Sequence, residues 1–167
     1  MRKVLLALTT AALVGGACSD SNPTAPAIPQ LESGGTTAAA KAFPDQPQGG
    51  RLFTVTMTGA EEAPGPGDPD GTGTARITLN PGQEEVCFAL TVTGIAPATG
   101  AHIHLAPVGE PGPIVVPLTP PTSGSSSGCV PAERELITNI LRDPEAYYVN
   151  VHNAEFPAGA VRGQLSR

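Results

Sequence analysis

The chain has 167 residues, of which 20 are Gly and 19 Pro, with 14% charged residues and no Trp. So many helix breakers argue against a helix bundle, whereas 40% hydrophobic residues suffice for the core of one all-β domain. Nine Lys+Arg against fifteen Asp+Glu leave a net charge of −6, and no basic, aromatic-interleaved patch is present, which argues against nucleic acid as a partner.

Residues 1–17 carry the pattern of an export signal. Arg2 and Lys3 form a positive start, and Val4 to Val14 is an uncharged apolar run, too short to cross a bilayer core of about 30 Å as a helix. Gly15-Gly16-Ala17-Cys18 follows, and it resembles the lipobox of bacterial lipoproteins, with Gly15 where that motif usually has Leu. The resemblance implies diacylation of Cys18, which becomes the new N-terminus, and a place at the bacterial cell envelope with the lipid as the sole membrane anchor. The alternative is plain cleavage after Ala17 and a secreted chain. Either cut removes Arg2 and Lys3 and takes the net charge from −6 to −8. Residues 18–50 are rich in Pro, Ser, Thr, Ala, Gly and Gln without apolar periodicity, the composition of a tether.

From Arg51 the texture changes to period-two alternation. Leu52–Thr58, Thr74–Leu79, Val86–Thr93, Gly100–Ala106 and Tyr147–His152 each alternate apolar with polar or small residues, the pattern of half-buried strands. Ile114–Leu118 is a shorter strand limited by Pro113 and Pro117, and Val161–Leu165 closes the chain. Pro120–Gly128 reads as a flexible loop. Ala132–Arg142 places Leu136, Ile137, Ile140 and Leu141 at helical spacing and is stopped by Asp143-Pro144, which predicts one short helix. The expectation for residues 51–167 is an all-β fold, an antiparallel Greek-key β-sandwich of about seven or eight strands with one short helix.

Three Cys occur, at positions 18, 87 and 129. Lipidation at Cys18 leaves Cys87 and Cys129 as a pair, and an oxidising compartment would join them. Closing a loop of about forty residues is worth roughly 4 kcal/mol in the chain-entropy model. Two separate buried thiols are the alternative.

Several segments resemble the CHRD domain, the module named after chordin. Met57-Thr-Gly-Ala-Glu-Glu-Ala-Pro64 is similar to its opening L-x-G-x-x-E-x-P element, and Ala101-His-Ile-His104 with Gly109 and Gly112-Pro113 to its central segment. Tyr148-Val-Asn-Val-His152, Pro157-x-Gly159 and Arg162-Gly-Gln-Leu165 are similar to its closing segment. Leu105-Ala106 replaces the Gly common after H-I-H, so a different loop is expected there. The resemblance covers about residues 51–167 and implies structural roles for Glu62, Asn150, Arg162 and Gly163. Chordin's growth-factor partner is not carried over, because fold does not imply function.

The imidazole inventory is His102, His104 and His152. An H-x-H on a strand puts both rings on one face with Cα atoms about 6.6–6.8 Å apart, close enough to converge on one ion. His152 lies on a similar strand with Asn150 on its face. Three neutral imidazoles would suit Cu or Zn, with binding weakening below about pH 6.5 as free imidazole protonates. The structural alternative is rings tied to backbone groups or to Asn150. The H-x-H resembles copper–zinc superoxide dismutase, but that enzyme needs more His ligands and an Asp-containing zinc site, so dismutase activity is not expected.

Other candidates carry less. Arg162 is expected to pair with Glu155 or Glu62, or to clamp backbone. Asp68-Pro-Asp70-Gly71 lacks the later bidentate Glu of a calcium loop and reads as solvated turn acids. Ser125–Ser127 has no nucleophile-elbow context. Two functions follow: a non-enzymatic binding or structural module at the envelope, engaging a protein or envelope ligand, or a Cu- or Zn-binding, redox-active protein using the His cluster.

Overall fold

The computed structural model describes residues 50–167; the expected export signal, Cys18 and nearly all of the expected tether lie outside them. Eight strands follow in chain order: β1 Arg51–Thr58, β2 Thr72–Asn80, β3 Glu85–Thr93, β4 Ala98–Leu105, β5 Ile114–Leu118, β6 Ser125–Pro131, β7 Tyr147–Asn153 and β8 Val161–Gln164. One helix, α1, spans Arg134–Arg142. All strand pairs are antiparallel, in the order β5-β4-β7-β8-β1-β2-β3-β6.

The period-two pattern explains the layering. Phe53, Val55 and Met57 of β1, Ala75, Ile77 and Leu79 of β2 and Val86, Phe88, Leu90 and Val92 of β3 point inward. They join Ala101 and Ile103 of β4, Val149 and Val151 of β7, and Val161 and Leu165 in one core cluster. The sheet therefore folds over on itself like a sandwich, β5-β4-β7-β8 facing β1-β2-β3-β6. Short connections, residues 94–97 and 119–124, carry the chain between the halves from β3 to β4 and from β5 to β6, and a longer one runs from β6 through α1 to β7. α1 contributes Ile137 and Ile140 to the core.

The halves are joined where β8 meets β1, at the pair Thr58–Arg162. A Cβ on Gly163 would lie 2.2 Å from the Thr56 carbonyl oxygen, so only glycine lets the two strands approach there.

Three expectations need correction. Ser125–Gly128 is not part of a flexible loop but the first half of β6, paired along its length with β3. Its Ser-rich sequence shows no apolar alternation because its residues are only half-buried or exposed; pairing rather than burial makes it a strand. α1 begins at Arg134, since Pro131 and the backbone before it belong to β6. Alternation in β4 fails at its end, where Leu105 is 42% exposed and Ala106 is buried, beyond a register shift against β5 between Ile103 and His104.

Cys87 and Cys129 are register partners on β3 and β6 and form a disulfide. Among the described residues no helix is long and apolar enough to cross a membrane.

Candidate metal centre

The outward face of β4, β7 and β8 carries the polar residues that alternate with the core. Register sets His102 opposite Asn150, His104 opposite Tyr148, and Gly100 opposite His152. β8 adds Arg162 opposite Asn150 and Gln164 opposite Tyr148. Loops then fold back over this face. Those after β1 and β7 bring Glu62 and Pro157, and the loop after β4 brings residues 106–112.

The three imidazoles meet. Each offers a ring nitrogen such that these atoms all lie within 4.8 Å of one another. His102 Nδ1 is 3.2 Å from His152 Nε2. Two ligands about 2.0–2.1 Å from a tetrahedral metal are separated by about 3.3 Å, so this pair already has the required spacing. Gly100 makes room for it: a Cβ there would stand 3.3 Å from His102 Cε1 and 3.5 Å from His152 Cδ2.

Backbone carbonyls set the tautomers. His104 Nδ1 donates to the Gly112 carbonyl at 2.8 Å, and His152 Nδ1 to the Pro157 carbonyl at 3.1 Å. Each ring thus keeps its lone pair on Nε2, the usual arrangement behind a metal-ligating histidine. His104 Nε2 is buried and has no hydrogen-bond partner. Without metal, His152 Nε2 accepts from His102 Nδ1–H, the donor left to the pair once Pro157 takes the other proton; ligation through Nδ1 requires the other neutral tautomer of His102, with its proton on Nε2.

Burial holds all three rings neutral. It pushes His102 down to about 4, helped by the charges His152 and His104 would carry. His104 is lowered by burial and by Arg162, against the opposing effects of the Gly112 carbonyl and Asn150. His152 is lowered by burial and by His104, against the Pro157 carbonyl. The expected loss of metal affinity near pH 6.5 therefore moves to lower pH.

Arg162 is 1% exposed and forms no salt bridge with Glu62 or Glu155. Its guanidinium donates to the carbonyls of Glu110 and Pro107, each at 2.8 Å, and to Gln164 Oε1 at 3.2 Å. It also lies 3.5 Å from the centroid of the Tyr148 ring. It is a backbone clamp that fixes the loop carrying Gly112. Glu62 lies near enough for Arg162 to favour its charged form, but burial outweighs this and pushes the carboxyl up to about 7. Asn150 is buried against both Glu62 and His104.

Tyr148 and Gln164 escape sequence reasoning. Tyr148 stacks on His104 and accepts a bond from Gly112 N–H at 3.3 Å; Gln164 donates to the carbonyls of Ala106 and Glu145. Their signal was position on the same strand face as Asn150, His152 and Arg162. Asp68, expected as a solvated turn acid, is instead buried, with its Oδ1 accepting from Asp70 N–H. Ser126 Oγ donates to the Thr119 carbonyl, an edge contact with no nucleophile geometry.

Fold and site together define an all-β module with a three-imidazole cluster on the outer face of one half. A family model, the CHRD domain, matches residues 53–165, and the chain belongs to that family. No curated protein and no solved structure matched the chain.

Proposed function

We propose that this CHRD domain is a non-enzymatic transition-metal-binding module held at the bacterial cell envelope by a lipid on Cys18. One observation carries the metal reading: three neutral imidazoles with ligand nitrogens within 4.8 Å of one another. The donor set fits Zn(II) or Cu(II), which accept imidazole nitrogen and need no carboxylate. His102, His104 and His152 would hold the ion and leave a fourth position for water or a partner's donor atom. Ties from two Nδ1 atoms to backbone, expected under a framework role, also orient both rings for ligation.

Calorimetric titration of the purified chain with Zn(II) and Cu(II) tests this, beside His104→Ala and His152→Ala. Micromolar or tighter binding, lost in both variants, supports the site. No binding, or binding indifferent to both, returns the histidines to a framework role and the domain to a display module for a protein or envelope ligand. Cys18→Ser should release the chain from membranes; unchanged fractionation removes the lipid anchor.

A further inference from the structure

Beside the imidazole set lie three buried acceptor atoms without hydrogen-bond partners: Glu62 Oε1, Asn150 Oδ1 and His104 Nε2. They come from three separate places in the chain, the loop after β1, the centre of β7 and the end of β4. Asn150 stands between the other two, its amide against the Glu62 carboxyl and against the His104 ring. Glu62 is not a member of the ligand set.

An amide offers one acceptor oxygen and one donor nitrogen. A carboxylate and an imidazole Nε2 lone pair are both acceptors. With Nδ1–H of His104 committed to Gly112, an amide oriented to donate to one neighbour turns its oxygen towards another acceptor. A single proton on Glu62 resolves this. The carboxyl O–H then donates to Asn150 Oδ1, and Asn150 Nδ2 donates to His104 Nε2, so all three orphaned atoms are paired. When His104 Nε2 is taken by a metal, the amide loses its acceptor there. Turning over, it donates to Glu62 instead, and this favours the carboxylate and release of the proton.

We propose that Glu62 and Asn150 are positioning residues that couple the cluster to one proton, so that metal on His104 and a proton on Glu62 weaken each other. This coupling rests on the metal-binding reading above. The electrostatic setting agrees with it. Burial raises Glu62, whereas Arg162 from β8, the Ala63 backbone and Asn150 favour its charged form, so the carboxyl is poised near neutrality. Glu155, from the loop after β7, lines the same cavity of about 280 Å³ as Glu62, together with Phe156 and Pro157. A Cβ on Gly159 would collide with the Glu62 carboxyl, so the side chain is confined where it reaches Asn150. Linkage makes the effect reciprocal: metal lowers the Glu62 midpoint by as much as protonation weakens metal binding.

The test is carbon-13 NMR titration of the Glu62 carboxyl in the wild-type chain, without and with saturating Zn(II), with the heat of zinc binding measured in parallel. The expected result is a midpoint near 7 without zinc and a fall of at least one unit with it, a tenfold coupling. Calorimetry at pH 6.5 in buffers of different ionisation enthalpy should show wild type releasing about half a proton more than Glu62→Gln, the change in occupancy for a midpoint that falls from about 7 to about 6. A midpoint unmoved while zinc binds, or equal proton release in both proteins, overturns the coupling and leaves the metal site standing. Absence of zinc-binding heat overturns both. A midpoint in the ordinary carboxylate range without zinc overturns the coupling whatever zinc does.

Discussion

His104 and Tyr148 are register partners on β4 and β7, and their rings stack with centroids 4.7 Å apart and planes inclined by 8°. The Arg162 guanidinium lies over the same Tyr148 ring, so one phenol ring links the ligand histidine to the loop clamp. Tyr148→Ala should cost about 3–5 kcal/mol of stability as a large buried ring is lost, and should weaken zinc binding with it. Tyr148→Phe keeps the stack, loses only the bond from Gly112, and should cost about 1 kcal/mol. Urea unfolding of both variants measures the difference.

The Cys87–Cys129 disulfide staples β6, an edge strand that buries little of its own surface, to β3. Removing it with Cys87→Ser and Cys129→Ser should cost up to about 4 kcal/mol. Hydrogen exchange should rise first in Ser125–Pro131, while β4 and β7 stay protected. Linked peptides in non-reducing mass spectrometry verify the pairing.

Metal binding requires neutral imidazoles, and burial lowers the pKa of all three. Protons on the rings therefore compete only below the ordinary imidazole range, so apart from the roughly tenfold weakening from Glu62 around pH 7, zinc should remain bound at pH 6 and be displaced towards pH 4. Zinc retention measured by equilibrium dialysis across pH 4–7 checks this. Complete loss centred on pH 6.5 that persists in Glu62→Gln would mean that the rings are solvated like free imidazole.

Glu62 has the opposite sign. Its folded pKa is raised from 4.5 to about 7, so its contribution to stability is full below 4.5 and lost as pH rises through 7. Glu62→Gln should therefore gain on wild type between pH 5 and pH 8. The gain should be about 1–2 kcal/mol, less than the full shift implies because the Glu62 side chain as a whole is only partly buried and water screens part of the effect. Denaturant midpoints of both proteins at the two pH values read it out.

Strand positions and strand faces were determined by the sequence itself. The alternation Tyr147, Val149, Val151 against Tyr148, Asn150, His152 is a local property, because successive side chains of an extended chain point to opposite sides. The common face of His102 and His104 is legible for the same reason. The Cys pair follows from counting. Partnership across strands is a different matter, because register depends on which segments pair over long sequence separations. Only the tertiary structure set His152 across from Gly100, close enough to bond His102. Only it made a strand of Ser125–Pro131, whose side chains carry no burial pattern strong enough to announce one. It also decided the protonation of the site. Glu62 and the imidazoles depart from ordinary values because loops distant in sequence fold over them and remove water, and desolvation of a charge has no signature in residue order.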